Sequence, residues 1–121
     1  MLALAPKGYV ATSALATHLV IAAHPGAIVA AAAGQISPTA PSGTYYIQLI
    51  DSAAAVDSGG AITPIAIIIA PHTTSIPTTF SFADSIPVGG VAVSAGCVMQ
   101  LSTTYGTGTL GGAYLNAAAA R

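Results

Sequence analysis

Charge is what this sequence most conspicuously lacks. Only Lys7, Asp51, Asp57, Asp84 and Arg121 carry a formal charge among 121 residues, or 4%, where about 25% is usual for a soluble domain. There is no glutamate and no tryptophan, and Cys97 is the one cysteine. Each shortage excludes something. Two cations at opposite ends of the chain cannot line a phosphate backbone, so nucleic-acid binding is not expected. A cationic amphipathic membrane helix fails for the same reason. One cysteine cannot close an intrachain disulfide.

Long apolar runs are also missing. The longest candidate, residues 19–33 (LVIAAHPGAIVAAAA), falls short of the ~20 residues a membrane helix needs and is broken by His24, Pro25 and Gly26. Near the N-terminus Thr12, Ser13, Thr17 and His18 interrupt what would be the apolar centre of a secretory leader, so no leader is expected. By the usual scaling, a folded monomer of this size would carry about one charged group per 1,200 Å² of surface. Such a surface is poorly protected against association, and copies of the chain or a larger assembly are expected to cover much of it.

The residues that could carry chemistry are few. There is no G-x-S-x-G elbow, and Cys97 sits in an alternating segment rather than at an activating helix N-terminus. His18, His24 and His72 include no closely spaced ligand pair. The glycine-rich segments 57–60 and 106–112 lack the lysine of a phosphate loop and read as turns. No catalytic residue, cofactor site or metal site is expected. An enzyme would need a cleft that brings a histidine and an aspartate within hydrogen-bond reach.

What is present is punctuation. Thirteen glycines and eight prolines separate short segments rich in valine, isoleucine, threonine and aromatics, the pattern of a single all-β domain. The expected fold is an antiparallel, jelly-roll-like β-sandwich over residues 17–121, preceded by an extended N-terminal arm over 1–16. Segments 17–23 and 27–36 are expected to form a hairpin about His24-Pro25-Gly26. Residues 44–51 (TYYIQLID) are apolar on both faces and should lie between two layers, or between a core and a neighbouring subunit.

Pro64 should place one end of strand 62–70 at an edge or bulge, and Pro71 should stop that strand. Phe80 and Phe82 share a face and should anchor the core. Residues 90–102 alternate as one strand with an inward and an outward face, Gly96 being a possible bulge. A last strand over 109–116 should leave an alanine tail. Candidate interface residues are Leu2, Leu4 and Tyr9 in the arm, with Tyr45, Tyr46, Ile67, Ile69 and Tyr114 in the strands.

From about residue 17 the order of motifs resembles small virion structural proteins of tailed bacteriophages. The matching pieces are His24-Pro25-Gly26, the run Tyr46 to Ala54 (YIQLIDSAA), Asp57-Ser58-Gly59, Thr63-Pro64-Ile65, Phe80-Ser81-Phe82 and Leu101-Ser102-Thr103-Thr104. The resemblance implies a compact sandwich on the capsid surface that decorates or cements the particle. Its partners would be copies of itself, as a homotrimer, and the major capsid protein. The alternative is a tail or fibre component that binds a host glycan through exposed tyrosines.

Overall fold

The computed structural model describes residues 8–121, and within them the chain is all-β. The strands are β1 (Tyr9–Ala11), β2 (His18–Ala22), β3 (Ile28–Val29), β4 (Ala31–Ile36), β5 (Gly43–Ile50), β6 (Gly60–Ala61), β7 (Pro64–His72), β8 (Thr78–Ser81), β9 (Val91–Ala92), β10 (Cys97–Ser102), β11 (Thr107–Gly108) and β12 (Leu115–Ala120). Two four-stranded antiparallel sheets carry the fold, one ordered β1-β12-β4-β8 and the other β2-β10-β5-β7. The short ribbons β6/β11 and β3/β9 sit beside them. The first strand pairs with the last, and the chain alternates between sheets in the order of a jelly roll. No described helix is long and apolar enough to cross a membrane.

The core lies between the sheets. Ile47 and Leu49 of β5, Met99 and Leu101 of β10, Ile21 of β2, Ile36 of β4 and Leu115 of β12 are fully buried there. Phe80 and Phe82 pack edge to face, with centroids 6.1 Å apart, and Phe82 has no exposed surface. With Ile36 and Leu115 they supply bulk to a sheet whose other inward positions on β4 and β12 are small: Ala32, Gly34, Ala117 and Ala119. Gly34 is required by close approach, since a Cβ there would collide with the Asn116 carbonyl and Ala117.

Several sequence expectations need correction. Segments 17–23 and 27–36 do not form a hairpin, because β2 pairs with β10, β3 with β9, and β4 with β12 and β8. The His24–Gly26 turn instead carries the chain from one sheet to the other. It is held by Gly26 N–H to Val93 O at 2.8 Å and Val93 N–H to Ala27 O at 3.0 Å. A turn signal gives a change of direction and leaves the strand's partner open.

Residues 90–102 form two strands, β9 and β10, separated by a break at 93–96. The register shift falls at Cys97/Val98, next to the glycine expected to mark it. Both faces of β10 are buried, so its alternation does not separate core from solvent. Pro71 does not stop β7, because it lies opposite Thr44 on an edge strand, where a missing N–H can face outward. Pro64 does sit at a bulge on that edge.

The alanine tail is a strand. Residues 115–120 form β12, which lies between β1 and β4 with Ala118 opposite Ala33 and Ala120 opposite Ala31. The segment 109–116 is mostly irregular. Of the segment expected as an arm, Tyr9–Ala11 pairs with Ala118–Ala120 in the chain's own sheet, and Ala16 bridges to Leu115. Residues 1–7 lie outside the described residues. Removing residues 117–121 should therefore abolish the cooperative thermal transition seen by circular dichroism, whereas a dispensable tail would leave the midpoint unchanged.

Candidate assembly surface

The polar side chains hold backbone in place. Gln48 and Gln100 lie directly opposite each other on β5 and β10, and both are fully buried. Gln100 Nε2 donates to Gln48 Oε1 at 2.8 Å and to Val56 O at 3.0 Å, while Val56 N–H donates back to Gln100 Oε1 at 3.0 Å. Gln48 Nε2 lies within 3.0 Å of the carbonyls of Thr104, Tyr105 and Thr107. The pair thus clamps segments 52–61 and 103–110 over the outward face of the sheet. Those loops cover Ile50 and Val98.

The carboxylates are similarly engaged. Asp51 accepts N–H groups from Ser94 at 2.9 Å and Ala95 at 2.8 Å, fixing the break before β10. The Ser94 and Ala95 amides hold its carboxyl below the ordinary value of 3.8 against a smaller opposing effect of burial. Asp57 accepts from Ser58 at 2.7 Å and Leu110 at 2.9 Å, and the Leu110 amide is the main reason its carboxyl is also lowered. Burial, with a lesser contribution from the Asp51 charge, pushes the Cys97 thiol up to about 12.

The histidines are scattered. His18 Nδ1 is paired with Thr17 Oγ1, His24 Nδ1 with the Pro25 carbonyl and His72 Nδ1 with Thr78 Oγ1. Among the described residues no group of three or more His, Cys, Asp or Glu side chains could hold a metal.

The surface features that stand out are neutral and apolar. The outward face of β1-β12-β4-β8 is a methyl surface of Ala31, Ala33, Ala118 and Ala120 flanked by Tyr9, with shallow grooves of about 300 and 410 Å³. The other sheet exposes Ile69 and Tyr105 beside the half-buried Tyr46 and Ile67. The Tyr46 and Tyr105 rings pack edge to face at 5.7 Å.

The candidate residues divide accordingly. Tyr9 is 73% and Ile69 59% exposed, Tyr46 and Ile67 flank Ile69, and Leu2 and Leu4 lie outside the described residues. Tyr45 is not a surface residue. It is buried, donates its hydroxyl to the Pro41 carbonyl at 2.9 Å and packs against His72. Tyr114 is half-buried against the core. Sequence reasoning missed the exposed Ile28, Ile76 and Val88, all of which fall at loops or on a two-residue strand where no periodicity marks a face. Compared with family models, curated proteins and solved structures, the chain has no significant match. The fold and its surface define the class: a charge-poor jelly-roll sandwich with neutral outer faces.

Two measurements check these assignments. Gln100→Leu strips partners from Val56 and Gln48 and should cost about 2–4 kcal/mol in urea unfolding; an unchanged midpoint would show that the clamp is dispensable. The depressed carboxyl of Asp51 stabilises the fold above its ordinary titration range, and that contribution is lost as pH falls through the lowered value. Between about pH 5 and pH 2, Asp51→Asn should therefore lose less stability than the parent chain.

Proposed function

We propose that this chain is a non-enzymatic virion structural protein of the tailed-bacteriophage type. In this reading it is a capsid decoration or cement subunit that associates with copies of itself and holds neighbouring major capsid subunits at the particle surface. The observation that carries the proposal is a jelly-roll frame whose exposed faces are neutral and apolar. The charged side chains among the described residues, Asp51, Asp57, Asp84 and Arg121, all lie at turns, loops or the C-terminus and none within a strand, so the strand faces where partners would sit carry no charge. Capsid domains are among the established users of this architecture. Because a fold alone does not assign a function, the order of motifs from His24 to Thr104 supplies the virion part of the reading.

The partners are a second copy of the chain and the major capsid protein. A homotrimer is one way to cover the neutral faces, and pairing of a sheet edge with its copy is another. The edge-to-face pair Tyr46 and Tyr105 favours a second reading, a tail or fibre component that stacks a host glycan on those rings.

Particle composition separates the two. Purified protein added to capsids that lack it should bind in a fixed ratio to the major capsid subunit and raise the temperature at which the shell is disrupted. Failure to bind sinks the decoration reading, and incorporation confined to the tail supports the alternative.

A further inference from the structure

The four outer edges of the two sheets are not equally protected. β1 has three residues, and β8 has four, three of them hydroxylic. β2 receives a hydrogen bond from the Arg121 guanidinium to the Ile21 carbonyl at 2.8 Å, which places a charge on that side. β7 is a nine-residue, uncharged edge strand that pairs among the described residues with β5 alone. Natural proteins blunt such an edge with charge, brevity, proline, a bulge or a covering segment; here Pro64 with its bulge and Pro71 mark the two ends, and no charged side chain lies between them. Its core-facing side is incomplete as well: Ala66 and Ile68 remain partly exposed, whereas their neighbours on β5, Leu49 and Ile47, are fully buried.

The sequence of this edge is self-complementary. Residues 66–70 read Ala-Ile-Ile-Ile-Ala, a palindrome centred on Ile68. Pro71 lies in the ladder opposite Thr44 without an N–H to give, so at that position the amide side faces away from β5. By the two-residue alternation of a strand, Ile69 and Ile67 turn their N–H and C=O groups away as well. Free backbone groups at those positions are a template on which a further strand can pair, and the palindrome matches that template to a second copy of itself.

We propose that β7 pairs antiparallel with β7 of a second copy of this chain about a twofold axis at Ile68. This rests on the self-association in the proposed function and assigns it a site. In this register Ile68 faces Ile68 of the second copy, Ala66 faces Ala70, and Ile67 and Ile69 exchange backbone hydrogen bonds with each other's counterparts. Ile67 and Ile69 of both copies form one apolar cluster on the outward face, and the sheet runs unbroken through the dimer. Pro64 and Pro71 bound the paired stretch, and because the contact is isologous, with the same edge used by both copies, it closes at two.

The register makes the test specific. Ile67→Cys and Ile69→Cys proteins, prepared separately, should form little disulfide dimer alone but a strong one when mixed and oxidised, because position 67 meets position 69. Cys97 is buried and does not compete. Ile69→Lys, at a position already 59% exposed, should keep the parent circular dichroism spectrum and weaken the dimer about thirtyfold or more in sedimentation equilibrium. A parent chain that is monomeric or trimeric, an Ile69→Lys protein that stays fully dimeric, or cross-links that ignore the register would each overturn the proposal. A dimer formed through another face would do so while leaving the decoration reading intact. Failure of the protein to join particles would sink that reading without touching the dimer.

Discussion

The buried contact between Gln48 and Gln100 is the constraint on which the arrangement of layers depends. Two amides facing each other in the middle of a sheet would be costly if left unpaired. Here they pair with each other and with backbone groups of two loops, so the polar cluster is satisfied only when those loops lie over the sheet. The loops become a third layer. This is why β10 and the second half of β5 are buried on both faces, while among the described residues the β7 edge is left unpaired.

The scarcity of charge follows a related logic. Asp51 fixes the break ahead of β10, Asp57 joins the turn at Ser58 to the backbone of Leu110, and Arg121 ties the end of β12 to β2. These charges organise the chain's own backbone at turns and termini. The strand faces are left to alanine, isoleucine and tyrosine. Neutral faces are a liability for an isolated subunit and an advantage for one that works among copies and neighbours.

The opposite sheet solves a different problem. Among its inward residues Ala32, Gly34, Ala117 and Ala119 contribute little apolar area, so its cohesion depends on the close approach of β4 and β12 and on Ile36, Leu115, Phe80 and Phe82 filling the space beneath. The same small side chains leave much of the outer face smooth, bordered by Tyr9, Gln35 and Asn116.

The sequence by itself determined the class of fold: turn residues at short intervals and β-branched segments between them leave few alternatives to an antiparallel sandwich. It also placed β5, the core role of Phe80 and Phe82, and the bulge at Pro64, because each of these follows from local chemistry. Tertiary structure decided everything that depends on a partner distant in the chain. Residues 115–120 became a strand inside a sheet because β1 and β4 flank them, not because alanine prefers that state. Tyr45 turned inward while Tyr46 turned outward, and β2 and β4 were assigned to different sheets. Burial of the second face of β10 came from two loops, one of them the remote segment 52–61, held there by two glutamines whose pairing no period of two could reveal.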